Sequence, residues 1–462
     1  MYPRLEVCVV RISRRDPQKG IFVGIDNRSG VPIEKAALDM VYSSRPISIM
    51  SLNGEIISVN QMLEELSDNA SSNSSLCRVG EQIRTTNESS YDPTVIAIGP
   101  FHRGKAHLKA MDHHKKRYLK LILQSRGESS ADRYVNSMLE SEEEARKFYA
   151  EETAVLGKYA FALMLLLDGI FILEFLRECT FGSNLVFQLG QMKSHILRDL
   201  MLFENQIPLF ILEKLLSMTD DAFQITHLIY PLISPIIVHQ EAISLQDDHT
   251  KPHHLLGLVH YAERLGFSPT VPDEHYVMEN INSATELSEA GISFKKSDSK
   301  NLLDIIFKNK KIRMPTLEIT DLTESRIRNM IAYEYYNLAC DERKYVTDYT
   351  FFLHCLIHAP KDAELLRRYG VVSNWLGGDE MVYRLINQIG SHVQTSEKFS
   401  YHDVFRDVNV HCRNRKNRWI AVLRRDYFNT PWKLISLVAG FVLLGVGVVQ
   451  MVFAILSYYQ DK

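Results

Sequence analysis

LISLVAGFVLLGVGVVQMVFAIL, residues 434–456, runs for 23 residues without a charge. At 1.5 Å rise per residue this is about 35 Å of helix, enough to cross a hydrocarbon core of about 30 Å with some tilt. Trp432 lies on one side and Tyr458 and Tyr459 on the other, where amphipathic rings sit at a membrane–water interface. The competing reading is a core helix, but uncharged runs of this length are rare in soluble folds. A second apolar stretch, residues 155–176, is the internal control. It contains Lys158, Asp168 and Glu174 and has no uncharged run beyond nine residues. An Asp near the middle of a membrane helix costs roughly 2.5–3.5 kcal/mol, so this stretch reads as a buried helix of a soluble domain. Together the two runs set the expected fold class. It is mainly α: one large helical domain with minor short strands, plus one C-terminal transmembrane helix.

Charges outside the 434–456 run set its expected orientation. Arg413, Arg415, Lys416, Arg418, Arg424, Arg425 and Lys433 precede it, and only Gln460, Asp461 and Lys462 follow the tyrosines. The positive-inside rule puts the bulk of the chain in the cytosol. The apolar run at residues 5–12 contains Glu6 and Arg11 and is too short for a secretory signal, so the expected layout is that of a single-pass, tail-anchored protein. The basic stretch is interleaved with Trp419, Tyr427, Phe428 and Trp432. Directly before a membrane helix it is expected to contact anionic lipid head groups, at roughly 1 kcal/mol per residue. A net charge of −3 over 462 residues gives no global case for nucleic acid. Within the helix, Gly440, Gly447 and Ala454 recur every seven residues, Ser436 lies four before Gly440, and Gln450 three after Gly447. Small residues let helices approach and a polar side chain in lipid seeks a partner. A homo-oligomer formed through this face and a monomeric anchor both stand at this stage.

Residues 1–66 differ from the rest. LEVCVVRI, IFVGI and PISIM are short β-like runs between turn signals, which suggests a small β-containing extension. SDNASSNSS, residues 67–75, reads as a polar linker. Residues 76–433 form the expected helical domain and 457–462 a short tail. TVIAIGPF (94–101) reads as a short strand or an extended entry into a turn, followed by a helix over 105–123. Helices are also expected over 195–203, 348–358, 364–369 and 380–393, and extended chain over 313–320. Asp321 with Glu324 three residues later is an N-cap signature. Behind it Ile327, Met330, Ile331, Tyr335 and Leu338 fall on one helical face. The six cysteines are scattered with no CxxC pair, as expected of reduced thiols. The sequons at Asn27, Asn69, Asn73 and Asn87 lie in a Ser/Asn-rich region and read as chance matches.

Gly99-Pro-Phe-His-Arg-Gly104-Lys105 has the spacing of a phosphate-binding loop. The Ser or Thr that should follow, to hold Mg²⁺, is Ala106. Pro100 also removes a backbone N–H that such a loop would use. His354, Cys355 and His358 offer two ligands at i, i+4, with no second pair at zinc spacing. There is no GxSxG elbow or GxGxxG fingerprint. Glu174, Glu204 and Glu334 stand among apolar residues as expected helix caps or arginine partners. No catalytic, cofactor-binding or metal site is assigned from these motifs. An enzyme using the Gly99–Lys105 turn or the His354/Cys355/His358 group is the alternative to a binding protein.

Several segments occur in the order and spacing of a known family. They are PTVIAIGPFHRGKAHLKAMDHHKKRYL (93–119), LLLDGIFILEFL (165–176), MLFENQIPLFILEKLL (201–216), LLDIIFKNKKIRMPTLEITDLTESRIRNMIAYE (302–334), the run from Val346 to Val393, and YFNTPWKLIS (427–436). On these the chain resembles, over about 76–459, the plant family known as domain of unknown function 247. The resemblance implies a plant membrane protein with a mainly helical domain, a C-terminal anchor and no established catalytic residues or cofactor. Some members are implicated in grass self-incompatibility as pollen-side recognition components. The expectation is a membrane-anchored, non-enzymatic recognition or scaffold protein with a protein partner, in that or another signalling process.

Overall fold

The computed structural model describes residues 48–50, 56–58, 76–150, 153, 155–182, 190–219, 224–233, 252–270, 279–339, 342–391, 393–414 and 431–460. The chain divides into two units, Met1–Ala70 and Ser71–Lys462. In the first, β1 (Ser48–Met50) pairs antiparallel with β2 (Ile56–Ser58), with Ile49 opposite Ile57. The runs LEVCVVRI and IFVGI and the 67–75 linker lie outside the described residues.

The second unit opens with α1 (Glu81–Arg84), α2 (Ala110–Ser125), α3 (Asp132–Arg146) and α4 (Lys158–Phe181). Then come α5 (Lys193–Leu200), α6 (Leu209–Thr219), α7 (Ile225–Leu228), α8 (Leu255–Arg264) and α9 (Ala284–Glu289). A β-rich stretch follows: β3 (Ser293–Lys296), β4 (Ile306–Lys308), β5 (Lys311–Met314) and β6 (Leu317–Ile319). The remaining elements are α10 (Thr323–Asn337), α11 (Tyr345–Leu356), α12 (Pro360–Arg368), β7 (Val372–Asn374), α13 (Asp379–Gly390), α14 (His402–Arg413) and α15 (Pro431–Gln460). The strands are minor, as expected. β5 lies between β3, parallel to it, and β4, antiparallel to it, while β6 pairs parallel with β7. Asn309 and Lys310 have φ of 54° and 61°, which closes the two-residue β4–β5 hairpin with the left-handed pair such a turn demands.

α4 is the axis of the domain's first half. It packs against α2, α3, α6 and α7, and from Phe161 to Leu176 nearly every side chain is buried. A helix apolar all round must be covered all round, which is why its charges are few and specifically placed. Gly169 lets α6 approach: a Cβ there would sit 2.4 Å from Leu215 Cδ1. In the second half α10, α11 and α13 pack on one another, with α12 against α13 and α14 beside β4.

Two expectations change in the structure. Residues 94–101 do not form the short strand, the first of their two readings. Their amides are taken by side chains instead: Asp199 accepts from Thr94 N (3.0 Å), Val95 N (2.7 Å) and Ile96 N (3.0 Å), and Asn205 Oδ1 from Ile98 N (2.6 Å). A buried carboxylate thus does what a neighbouring strand would do. Asp321 does not cap α10. The helix begins at Thr323, and the turn before it is closed by Thr323 Oγ1 accepting from Thr320 N (2.9 Å). Glu324 instead pairs with Arg328 and accepts from Asn87 Nδ2, both at 2.8 Å. The buried face of α10 is also broader than expected. It includes Arg328, Asn329 and Glu334, whereas Tyr335 is 59% exposed.

Candidate functional site

The phosphate-loop-like turn is built on α4. Asp168, 1% exposed, accepts from Gly99 N (2.9 Å) and from Lys115 Nζ of α2 (2.5 Å), and the same ammonium donates to Ala97 O (2.5 Å). Arg103 N and Lys105 N donate back to Pro100 O and His102 O. Lys105 Nζ lies 3.2 Å from Asp92 Oδ2. Two of the amides that would cradle a phosphate are therefore engaged inside the turn, and the ammonium is engaged by Asp92 outside it. Burial raises the Asp92 carboxyl, but Lys105, Arg84 and His102 together hold it below the usual carboxylate range. Gly99 combines φ of 71° with a missing Cβ that would meet Gln206 O at 2.4 Å, whereas Gly104 (φ 90°) faces open space. Gly99→Ala should therefore destabilise clearly more than Gly104→Ala. Both add backbone strain of about 1–3 kcal/mol, but only the first adds a backbone collision. Equal losses in urea titrations of the two variants would refute this steric role.

The ENQ triplet of residues 204–206 joins distant parts of the chain. Glu204 Oε1 accepts from Val79 N (2.8 Å) and Arg84 Nη1 (2.6 Å). Its Oε2 lies 3.3 Å from His102 Nε2, without hydrogen-bond alignment. Asn205 Nδ2 donates to Ile96 O and Asp199 O. Gln206 Nε2 donates to Leu200 O and Leu202 O, and its Oε1 accepts from Leu256 N. All three side chains are buried, so each works as a structural tie. Glu334 acts similarly on α11, accepting from Val346 N and Thr347 N (both 2.8 Å) while His260 Nε2 lies 2.7 Å away. Glu174 pairs with Arg177.

The His354/Cys355/His358 group is brought together only in part. α11 ends at Leu356, so His358 falls beyond the helix. The two imidazole centroids are 5.9 Å apart. Cys355 is buried in the core, and burial pushes its thiol up to about 12. Among the described residues no three His, Cys, Asp or Glu side chains converge as a metal site. About two turns earlier in α11, Asp348 accepts from Ser400 N and Oγ (both 2.8 Å) and Ser396 N (3.1 Å). Burial dominates and raises its carboxyl to about 6, against the pull of those hydrogen bonds. A carboxyl raised in the fold stabilises it in its protonated form. That contribution is complete below 3.8 and lost as pH rises through about 6. Asp348→Asn, fixed in the neutral form, should flatten the dependence of Tm on pH between 4 and 7. A variant profile parallel to wild type would show that Asp348 does not titrate there.

At the C-terminal helix, Gly440, Gly447, Gln450 and Ala454 are all exposed. Ser436 Oγ donates to Trp432 O within the helix (3.0 Å). Of the basic flank, Arg413 ends α14 and pairs with Glu279 (2.6 Å). Arg415, Lys416, Arg418, Arg424 and Arg425 and the side chain of Lys433 lie outside the described residues, as do Asn27, Asn69 and Asn73. Asn87 is half-buried against Glu324.

One feature has no signature in the sequence. A cavity of about 310 Å³ opens where α5, the chain after α7, α8, residues 302–303, β6, α10 and α11 meet. Its walls include Leu197, Met201, Leu232, Leu303, Ile327 and Met330. Arg326 bridges to Glu263 beside it, and Tyr349 of α11 forms part of its lining.

The plant family described as a plant protein of unknown function, DUF247, matches residues 76–446, ending within α15. The Arabidopsis thaliana UPF0481 protein At3g47200 is 28% identical over 417 residues, covering 83% of this chain and 87% of that protein. The putative UPF0481 protein At3g02645, also from Arabidopsis thaliana, is 23% identical over 490 residues, covering 83% and 91%. No solved structure matches the chain.

Proposed function

The chain belongs to the plant DUF247 family, and from that premise we propose a membrane-anchored recognition protein, without catalytic function, whose helical domain binds a protein partner. The observation that carries this reading is the contrast between the two long apolar helices. Of α4, 78% of the most apolar stretch is buried; of residues 438–456 in α15, none is. Phe441, Leu443, Leu444 and Phe453 are each 67–71% exposed. Leaving such side chains in water forgoes about 1.5–3 kcal/mol apiece, and a continuous patch of this kind marks a membrane or protein contact. A bilayer covers all sides of a helix at once, which a protein partner on one face does not. The basic flank supports a cytosolic domain. The engagement of the Gly99, Arg103 and Lys105 amides and of the Lys105 ammonium supports a binding role over nucleotide chemistry. The process is self-incompatibility, as implicated for some members, or another recognition event in signalling.

The test combines topology and ligand response. A glycosylation acceptor appended after Lys462 should be modified in a membrane system if the domain is cytosolic; glycans on the native sequons instead would reverse the orientation. Proximity labelling from both sides, with identification of captured proteins, should return a partner of the domain. A rise in Tm with nucleotide or Zn²⁺ would favour the enzyme reading, since a ligand of the folded state must stabilise it.

A further inference from the structure

The cavity between α5, α8, α10 and α11 plays no part in the anchored-recognition reading. Its volume, about 310 Å³, lies at the lower end of small-molecule sites, about 300–1,000 Å³. It equals the liquid volume of about ten water molecules, and each ordered water needs roughly two to four polar partners. The walls are largely apolar, and the arginines among them are already engaged. Arg198 Nη1 donates to Asp92 O (2.9 Å) and Asp199 Oδ1 (2.8 Å), its Nη2 to Ser89 O (2.6 Å), and Arg326 pairs with Glu263.

Tyr349 is the exception. It is 2% exposed, lines the cavity, and its hydroxyl has no hydrogen-bond partner. Other buried tyrosines are satisfied: Tyr118 donates to Glu178 Oε2 (2.8 Å), Tyr149 to Gln206 O (3.1 Å) and Tyr401 to Leu303 O (2.9 Å). A buried hydroxyl normally finds a partner. We propose that this cavity binds a small, uncharged, mainly hydrocarbon molecule carrying one hydrogen-bond-accepting oxygen, and that Tyr349 donates its hydroxyl to that oxygen. Leu232, Leu303, Ile327 and Met330 supply the apolar contact. The paired arginines leave no free cation among the described lining residues to select an anionic ligand, and the exposed Glu318 carboxylate disfavours one.

The probe is 3-azioctanol, a photoactivatable eight-carbon alcohol, applied to the full chain in lipid nanodiscs, with adducts located by peptide mass spectrometry. Adducts are expected within 323–356 as well as on the membrane helix, and excess octanol should suppress those in 323–356. Ile327→Trp, which fills the cavity, should abolish them. Tyr349→Phe, nearly isosteric, should lower them about fivefold, as expected for one lost hydrogen bond of ~1 kcal/mol. Adducts confined to 431–460, or cavity adducts that neither variant lowers, would overturn the proposal. Membrane anchoring is read separately, from the adducts on 431–460.

Discussion

Asp168→Ala is expected to cost about 3–5 kcal/mol of stability, because it strands the Lys115 ammonium in the core. Both partners are buried, with side-chain exposures of 4% for Lys115 and 1% for Asp168. Lys115→Met should cost a similar amount by leaving the carboxylate unpaired. Against a total stability of about 5–15 kcal/mol, either change removes a large fraction of the folded population. The double variant Asp168→Ala/Lys115→Met should lose much less than the two single losses combined. What it still loses is the Gly99 N–H and Ala97 carbonyl, left without partners at about 1–3 kcal/mol each. A double-mutant cycle from denaturant unfolding of the full chain measures this coupling. Strict additivity would mean that the two charges do not depend on each other.

The same pair marks how far the sequence could be read. Lys158, Asp168 and Glu174 were enough to exclude residues 155–176 from the membrane, since their cost in lipid is local and composition alone reveals it. What Asp168 binds was not legible, because Lys115 lies 53 residues away and Gly99 lies 69 away. The ENQ triplet shows this more sharply. Glu204 and Asn205 bond across 125 and 107 residues, and no spacing rule relates those positions. Helix caps and hairpin turns are written within a few residues of themselves, whereas a tie between segments is not. TVIAI read as a short strand or an extended entry into a turn because a short apolar run of this kind fits an extended backbone. That its amides meet Asp199 in place of another strand is a tertiary fact. The cavity was invisible for the same reason, since its lining is gathered from segments between Ser194 and Tyr349.

Arginine placed in the two long apolar helices should separate their solvents. In α4, a single Leu166→Arg is expected to unfold the domain. Leu166 is fully buried, and an unpaired charge there costs several kcal/mol. The chain should become protease-sensitive yet stay in the membrane pellet, because α15 is untouched. In α15 one arginine is not enough. Residues 434–456 hold fifteen Leu, Ile, Val and Phe side chains, which at about −0.3 to −0.6 kcal/mol each favour insertion by roughly 5–9 kcal/mol. One central arginine, at about 2.5–3.5 kcal/mol, leaves the balance favourable. Leu444→Arg/Val448→Arg together oppose it by about 5–7 kcal/mol and bring insertion close to neutrality. This variant should move largely into the carbonate-extractable fraction with its domain still protease-resistant. Leu166→Arg releasing the chain from the membrane, or the α15 double variant unfolding the domain, would show that the two helices share one environment.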